Sequence, residues 1–214
     1  VGCSVEGVVA ALRSAAEVVT AHRDELVELD RVIGDADHGE NLKRGFTALV
    51  SKLDLSEPPA TPSAALKLAA TTLISTVGGA AGPLYGTALL RAATSVGDAA
   101  ELDAAGVAAA LRAALDGVVA RGKAEPGDKT MVDALTPAVA AAEAAAASGS
   151  TVAEVLSAAA DAADEGAAST VPLVARKGRA SYLGERSANH LDPGSRSTAL
   201  LLRSFAESAG GGDR

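Results

Sequence analysis

The stretch Leu29-Asp30-Arg31-Val32-Ile33-Gly34-Asp35-Ala36-Asp37-His38-Gly39-Glu40-Asn41 sets three aspartates close together, with one arginine among them. Gly34 and Gly39 make it a bend rather than a continuous helix. In extended or turning backbone Asp35 and Asp37 point to the same side, and Asp30, a short turn earlier, can converge on them. Three carboxylates facing one point repel each other and need a cation. Ligation by carboxylates alone selects a hard ion, Mg²⁺ or Ca²⁺, over zinc, and Mg²⁺ held this way keeps positions for phosphate oxygens and water. Residues 30–41 therefore read as a magnesium–phosphate site. A solvated Asp/Gly turn is the alternative that this stretch alone leaves open. An EF-hand fits badly: counted from Asp35, Phe46 stands where a bidentate glutamate belongs.

Three further stretches carry candidate chemistry. Val77-Gly78-Gly79-Ala80-Ala81-Gly82-Pro83-Leu84-Tyr85-Gly86-Thr87 places glycines before a helix predicted to begin at about Pro83. Bare backbone followed by helix N–H donors makes a phosphate cradle. It lacks the lysine of a Walker A loop and the strand of a dinucleotide fingerprint, and a tight helix crossing would use the same small residues. Gly122 to Met131 is a polar, turn-rich loop feeding a helix that Asp128 or Thr130 can cap. Met131 offers an adaptable apolar surface for a flat base, unless the segment is an ordinary connection. Arg176 to Gly194 is the most basic run in an acidic chain, with glycines at 178, 184 and 194 as hinges. Arginine suits phosphate oxygens, so this run reads as a lid, against the alternative of a solvated loop. His38 and Asn41 point into the space beside Asp37; alone, His38 would pass for a turn histidine bonding backbone.

These stretches need a scaffold, and the composition says what kind. The 214 residues amount to one large domain or two small ones. With two Phe, two Tyr and no Trp, the core must be Ala, Val and Leu, which favours closely packed helices. A net charge of −8 argues against a nucleic-acid backbone or an anionic membrane as partner. The single Cys3 allows no internal disulfide, and no signal peptide is seen, so a cytoplasmic location is expected. Lys67 to Arg91 is uncharged between its ends, but Thr, Ser, Gly and Pro fill its middle, which makes it two helices rather than a membrane span.

Periodicity predicts eight helices, at about 4–29, 39–53, 63–76, 83–95, 104–121, 130–147, 151–175 (kinked or restarted at Pro172) and 195–208. Short connections make neighbours antiparallel. In an up-down order the turns at 30–38, 77–82, 122–129 and 176–194 then share one end, and those are the four stretches with chemistry. The expected fold is all-α, an eight-helix antiparallel up-down barrel with its site at one rim. It forms one domain over residues 1–208, followed by a disordered glycine tail at 209–214.

Together these motifs resemble the nucleotide-binding L subunit of bacterial dihydroxyacetone kinase, the DAK2 domain. The matching runs are Leu29-Asp30-Arg31 with Ile33-Gly34-Asp35-Ala36-Asp37-His38-Gly39 and Asn41, and Val77-Gly78-Gly79-Ala80 with Gly82-Pro83-Leu84. Arg121 to Met131, Ala175 to Ser187, His190 and Asp192-Pro193-Gly194 complete them. The resemblance implies ADP or ATP at one rim and two Mg²⁺ ions on Asp30, Asp35 and Asp37. It implies that His38 and Asn41 line the nucleotide site and that Gly79, Ala80 and Ala81 contact phosphate. Gly122 and Met131 would flank the adenine, Thr130 would belong to the nucleotide site, and Arg179, as a phosphate clamp, with Asp192, Pro193 and Gly194 would belong to the covering loop. The family commonly has serine where Ala81 stands, a hydroxyl donor that alanine lacks.

No covalent nucleophile is expected on this chain, because in this family the substrate is held on a separate K subunit. The implied function is transfer of a phosphoryl group to dihydroxyacetone on that subunit, with an M subunit of the sugar phosphotransferase system as donor. Partners other than these proteins are not expected, apart from an open alternative of a homodimer. Three rival readings remain: an ATP-exchanging domain of a single-chain kinase, a nucleotide-responsive interaction module without catalysis, and a magnesium-dependent phosphatase.

Overall fold

Helix-forming Ala and Leu dominate the computed structural model, which describes residues 2–211. Among these residues there are nine α-helices: α1 (Val5–Ala21), α2 (Arg23–Ile33), α3 (His38–Leu55), α4 (Pro62–Thr76), α5 (Ala81–Val96), α6 (Ala104–Gly122), α7 (Met131–Ala147), α8 (Val152–Ser169) and α9 (Pro193–Gly211). A 3-10 segment, Arg179–Ser187, lies between α8 and α9. A two-residue antiparallel pair, β1 (Cys3–Ser4) with β2 (Glu101–Leu102), ties the start of the chain to the turn before α6. No strand was expected there.

The all-α expectation holds, with differences at the edges. The helix expected over 4–29 is two, broken at His22 (φ −98°, ψ 10°). The apolar period runs through the break, and both pieces pack on α3 and α9, α1 reaching α4 as well and α2 the 3-10 segment. α1 buries Val8, Leu12, Ala15, Ala16 and Val19, whereas α2 buries only Leu26 and Ile33 and leans on α3 and α9. α2 can lie that close because residue 39 has no side chain: a Cβ there would fall 2.3 Å from the Arg23 carbonyl oxygen. α8 stops at Ser169 instead of 175, with Thr170 folding its hydroxyl back onto the Ala167 carbonyl ahead of Pro172. α9 begins at Pro193, ahead of the expected 195, and carries residues 209–211, which were expected to be a disordered tail. Residues 212–214 of that tail lie outside the described residues.

Consecutive helices from α3 to α9 pack on one another, and α1 closes the circuit between α9 and α3. A single apolar cluster fills the middle, much of it alanine buried to zero exposure, such as Ala65, Ala69, Ala134, Ala159 and Ala163. α3, α5, α7 and α9 all start at the end where the four candidate turns meet. α4, α6 and α8 start at the other end, under side-chain caps from Thr61, Asp103 and Thr151. No helix among the described residues is long and apolar enough to cross a membrane.

Candidate functional site

The four turns enclose one cavity of about 610 Å³, within the usual range for small-molecule sites. Asp30, Asp35, Asp37, His38, Asn41, Gly79, Ala80, Ala81, Gly122, Thr130, Met131, Arg179, Asp192, Pro193 and Gly194 all line it. The parity of turns along the chain therefore does become a shared end in space.

The acidic turn is built around Asp30, on the last turn of α2. Its Oδ2 accepts the backbone N–H groups of Asp37 (2.8 Å) and His38 (3.1 Å). Those are orphan donors at the start of α3. Asp37 occupies the N-cap position, but its side chain makes no capping bond. The cap of α3 is thus supplied from seven residues upstream, and the Asp37 carboxylate is left for the cavity. Gly34 makes room for this: a Cβ on it would lie 2.0 Å from Asp30 Oδ1. Ala36 holds a left-handed φ of 63°, a conformation that costs a non-glycine residue about 1 kcal/mol.

One oxygen from each of Asp30, Asp35 and Asp37 lies within 4.8 Å of the others. Burial, then the Asp37 charge, push the Asp35 carboxyl above its ordinary range; the Arg179 guanidinium pulls it back, and Asp30 adds to the rise. Arg179 reaches from the lid to Asp35, Nε to Oδ2 at 2.8 Å. Three oxygens at this spacing, carboxylates only, suit a hard divalent cation, which would relieve the repulsion that one arginine only partly offsets.

The second wall is the glycine turn. Gly79 has a φ of +65°, and nothing lies within 4 Å of where its side chain would stand. α5 starts at Ala81, two residues before the expected Pro83, and no side chain caps it. The other helices that start at this end are served: α3 by Asp30, α7 by the Thr130–Asp133 capping box, α9 by Asp192 accepting from Ser195 N at 2.7 Å. The amides opening α5 are the ones left free of a side-chain acceptor at the positive end of a helix. Beside them, Asn41 Oδ1 accepts from Arg44 Nη2 at 2.7 Å, and Arg44 Nε donates to the Thr76 carbonyl at 2.9 Å. Arg44 thus braces Asn41 against the end of α4, a role the sequence did not reveal.

His38 is also more than a turn residue. Its Nε2 lies 2.9 Å from Ser197 Oγ, which lies 2.6 Å from the Tyr85 hydroxyl; Thr198 Oγ1 follows at 3.0 Å. Burial lowers the His38 pKa against the opposing pull of Asp30 and Asp37, and burial pushes Tyr85 up to about 12. A neutral imidazole and a neutral phenol therefore tie α3, α5 and α9 together under the cavity. Tyr85 was the findable signal: one of four aromatics in the chain, set between Gly82 and Gly86.

Asp192 is buried, and burial raises its carboxyl to about 6, against the pull of Ser195 and Lys129. The native state therefore binds a proton that the unfolded chain releases near pH 4. Stability from this group is present at acid pH and is lost as pH rises from about 4 through 6. Relative to wild type, Asp192→Asn should gain about 2 kcal/mol between pH 4 and pH 7. Urea unfolding of both proteins across that range measures it; parallel pH profiles would mean that Asp192 is solvated.

The DAK2 domain profile matches residues 32–207. The chain is 42% identical over 205 residues to the Escherichia coli PEP-dependent dihydroxyacetone kinase ADP-binding subunit DhaL, covering 92% of this chain and 94% of that one. It is 38% identical to the PTS-dependent ADP-binding subunit of Lactococcus lactis, over 89% of this chain and 91% of that one. The crystal structure of the C. freundii dihydroxyacetone kinase in complex with AMP-PNP and Mg²⁺ superposes with a TM-score of 0.70 at 26% identity. That match covers 92% of this chain and 33% of the kinase, so the chain spans about a third of that protein. With the family profile covering most of its length and relatives of matching size, the chain belongs to the DAK2 domain family.

Proposed function

We propose that this chain, as a single domain over residues 1–208, is the ADP-carrying subunit of a phosphotransferase-system-dependent dihydroxyacetone kinase. The observation that carries the reading is the convergence of Asp30, Asp35 and Asp37 with the uncapped start of α5 and with Arg179 on one cavity. Asp30, Asp35 and Asp37 would hold two Mg²⁺ ions, which supply charge neutralisation for the diphosphate. The backbone of Gly79, Ala80 and Ala81 would donate to phosphate; the methyl of Ala81 leaves that task to N–H groups. His38 and Asn41 would line the nucleotide. Gly122 and Met131 would flank the adenine with Thr130 beside the nucleotide, and Asp192, Pro193 and Gly194 would close the cavity below the lid.

Phosphoryl transfer depends on positioning and electrostatics more than on covalent chemistry. The chain's own contribution is then to orient the nucleotide, exclude water and bring the Arg179 guanidinium onto the phosphates. The acceptor, dihydroxyacetone, would be held by a K subunit, and bound ADP would be recharged by an M subunit, all in the cytoplasm. The test is reconstitution with K and M subunits and phosphoenolpyruvate. Dihydroxyacetone phosphate should form only when all components are present. Its absence from a complete assay would sink the kinase role and favour a non-catalytic module; hydrolysis of a phosphate ester by the chain alone would favour a phosphatase.

One observation favours a second reading: the likeness to a third of the C. freundii kinase, which fits an ATP-exchanging domain. Bound ADP that survives gel filtration in Mg²⁺ supports the subunit; rapid exchange with free ATP supports the domain.

A further inference from the structure

Lys129 is the one buried cation among the described residues, at 1% exposure. Its backbone is left-handed (φ 62°), so something must hold it there. The side chain explains what. Nζ donates to the Thr170 carbonyl at 2.6 Å, to the His190 carbonyl, and to the Val171 carbonyl at 3.4 Å. An ammonium has three protons and no acceptor. These three carbonyls account for all of them, and none is left for a phosphate.

The geometry of those partners is the point. Thr170 and Val171 open the segment between α8 and α9 that carries the lid, and His190 lies near its close. Two more bonds cross at the same level: Asn189 N to the Val171 carbonyl at 2.7 Å, and Asp192 N to Thr170 Oγ1 at 3.1 Å. Next to Lys129, Asp128 grips the opening stem a second time. Its Oδ1 lies 2.8 Å from Arg176 Nε, and its carbonyl accepts Arg176 N at 3.1 Å. Asp128 Oδ2 also takes Glu125 N at 2.9 Å, which shapes the loop itself. Both stems of the lid are thus fastened to the loop between α6 and α7. The lid's tip lies between Gly178 and Gly184, whose φ values of +65° and +55° keep those ends free to turn.

We propose that Lys129, with Asp128 beside it, is a positioning residue that clamps both lid stems to the 122–130 loop and so sets how long a nucleoside diphosphate stays bound. The inference rests on the nucleotide reading of the cavity. With the stems fixed, opening is confined to the tip; with the clamp cut, the whole lid lifts. A buried charge suits this task because its carbonyl partners cannot exchange it for water without leaving acceptors unpaired.

The experiment loads the full chain with Mg²⁺ and fluorescent mant-ADP, then chases with excess ADP, while hydrogen exchange is followed across the lid. Lys129→Met should release mant-ADP about tenfold faster or more. Exchange at residues 172–192 should rise in that variant while the amides of α4, α5 and α6 keep their protection. A folded variant with unchanged release overturns the clamp, and so does a uniform rise in exchange across all helices. Should Lys129→Met not fold, Asp128→Asn weakens the parallel tie by removing the charge that holds the Arg176 guanidinium, while the backbone bond from Arg176 N stays. Several-fold faster release is expected there too, and unchanged release overturns the proposal. If wild type takes up no mant-ADP, the nucleotide reading fails instead, and lid exchange in the variants then decides the clamp alone.

Discussion

Asp37→Asn should lower affinity for ADP in Mg²⁺ by about 100-fold or more, while the protein without ligand melts no earlier than wild type. The size is that expected if Asp37 is a direct metal ligand, as proposed, since even supporting residues behind a ligand are worth about 10–100-fold. The sparing of stability follows from the local structure. Asp37 makes no capping bond, and its charge faces those of Asp30 and Asp35. Removing it relieves repulsion and breaks no side-chain hydrogen bond among the described residues. Asp30→Ala is the informative contrast. It removes the same kind of carboxylate but also uncaps α3, because Oδ2 holds two backbone amides. That variant should lose nucleotide and about 1–2 kcal/mol of stability together. Titration calorimetry with ADP and Mg²⁺, and melting without either, separate the two. Unchanged ADP affinity in Asp37→Asn, or equal melting losses in both variants, would refute the division of labour within the turn.

Gly82→Ala should be among the most damaging single-methyl additions. A Cβ on residue 82 would fall 2.3 Å from the Val77 carbonyl oxygen and 3.1 Å from that of Leu73. Both obstacles are backbone at the end of α4, so no side chain can swing aside. Overpacking at such a contact costs about 3 kcal/mol, or a fall of about 6–12 °C in Tm for a chain of this size. Relief by moving α5 would carry Gly79, Ala80 and Ala81 with it, so nucleotide affinity should fall as well. Gly210→Ala is the control: no atom lies within 4 Å of its Cβ, and it sits near the end of α9. Calorimetric melting compares the two directly. Equal Tm values would mean that the α4–α5 crossing yields where the geometry says it cannot.

Much of the site was legible because each piece of its chemistry is local in sequence. Asp30, Asp35 and Asp37 lie within one turn, and the glycines of 78–82 within another, so residue type and spacing carried the message. Alternation of helices then placed the pieces at one end without any knowledge of packing. What escaped detection depends on partners far away in the chain. Tyr85 meets Ser197 across 112 positions, and Lys129 meets His190 across 61. Neither pairing leaves a trace in hydrophobic period. The break at His22 escaped for another reason: Val19 and Leu26 keep helical spacing straight across it, and both join the same apolar cluster. The extra length of α9 escaped because glycines near a chain end read as a breaker, while in place they simply continue a well-packed helix.

The division of the helix ends has an evolutionary side. One mouth of the bundle holds the four turns that line the cavity, while the turns at 56–61, 97–103 and 148–151 form the other mouth, where β1 pairs with β2. Lengthening, recoding or grafting at those three connections would disturb neither the carboxylate trio nor the lid. A lineage can therefore rebuild half of its loops, gain an appended domain or trade surface charge at that face, and keep the chemistry of the opposite one unaltered.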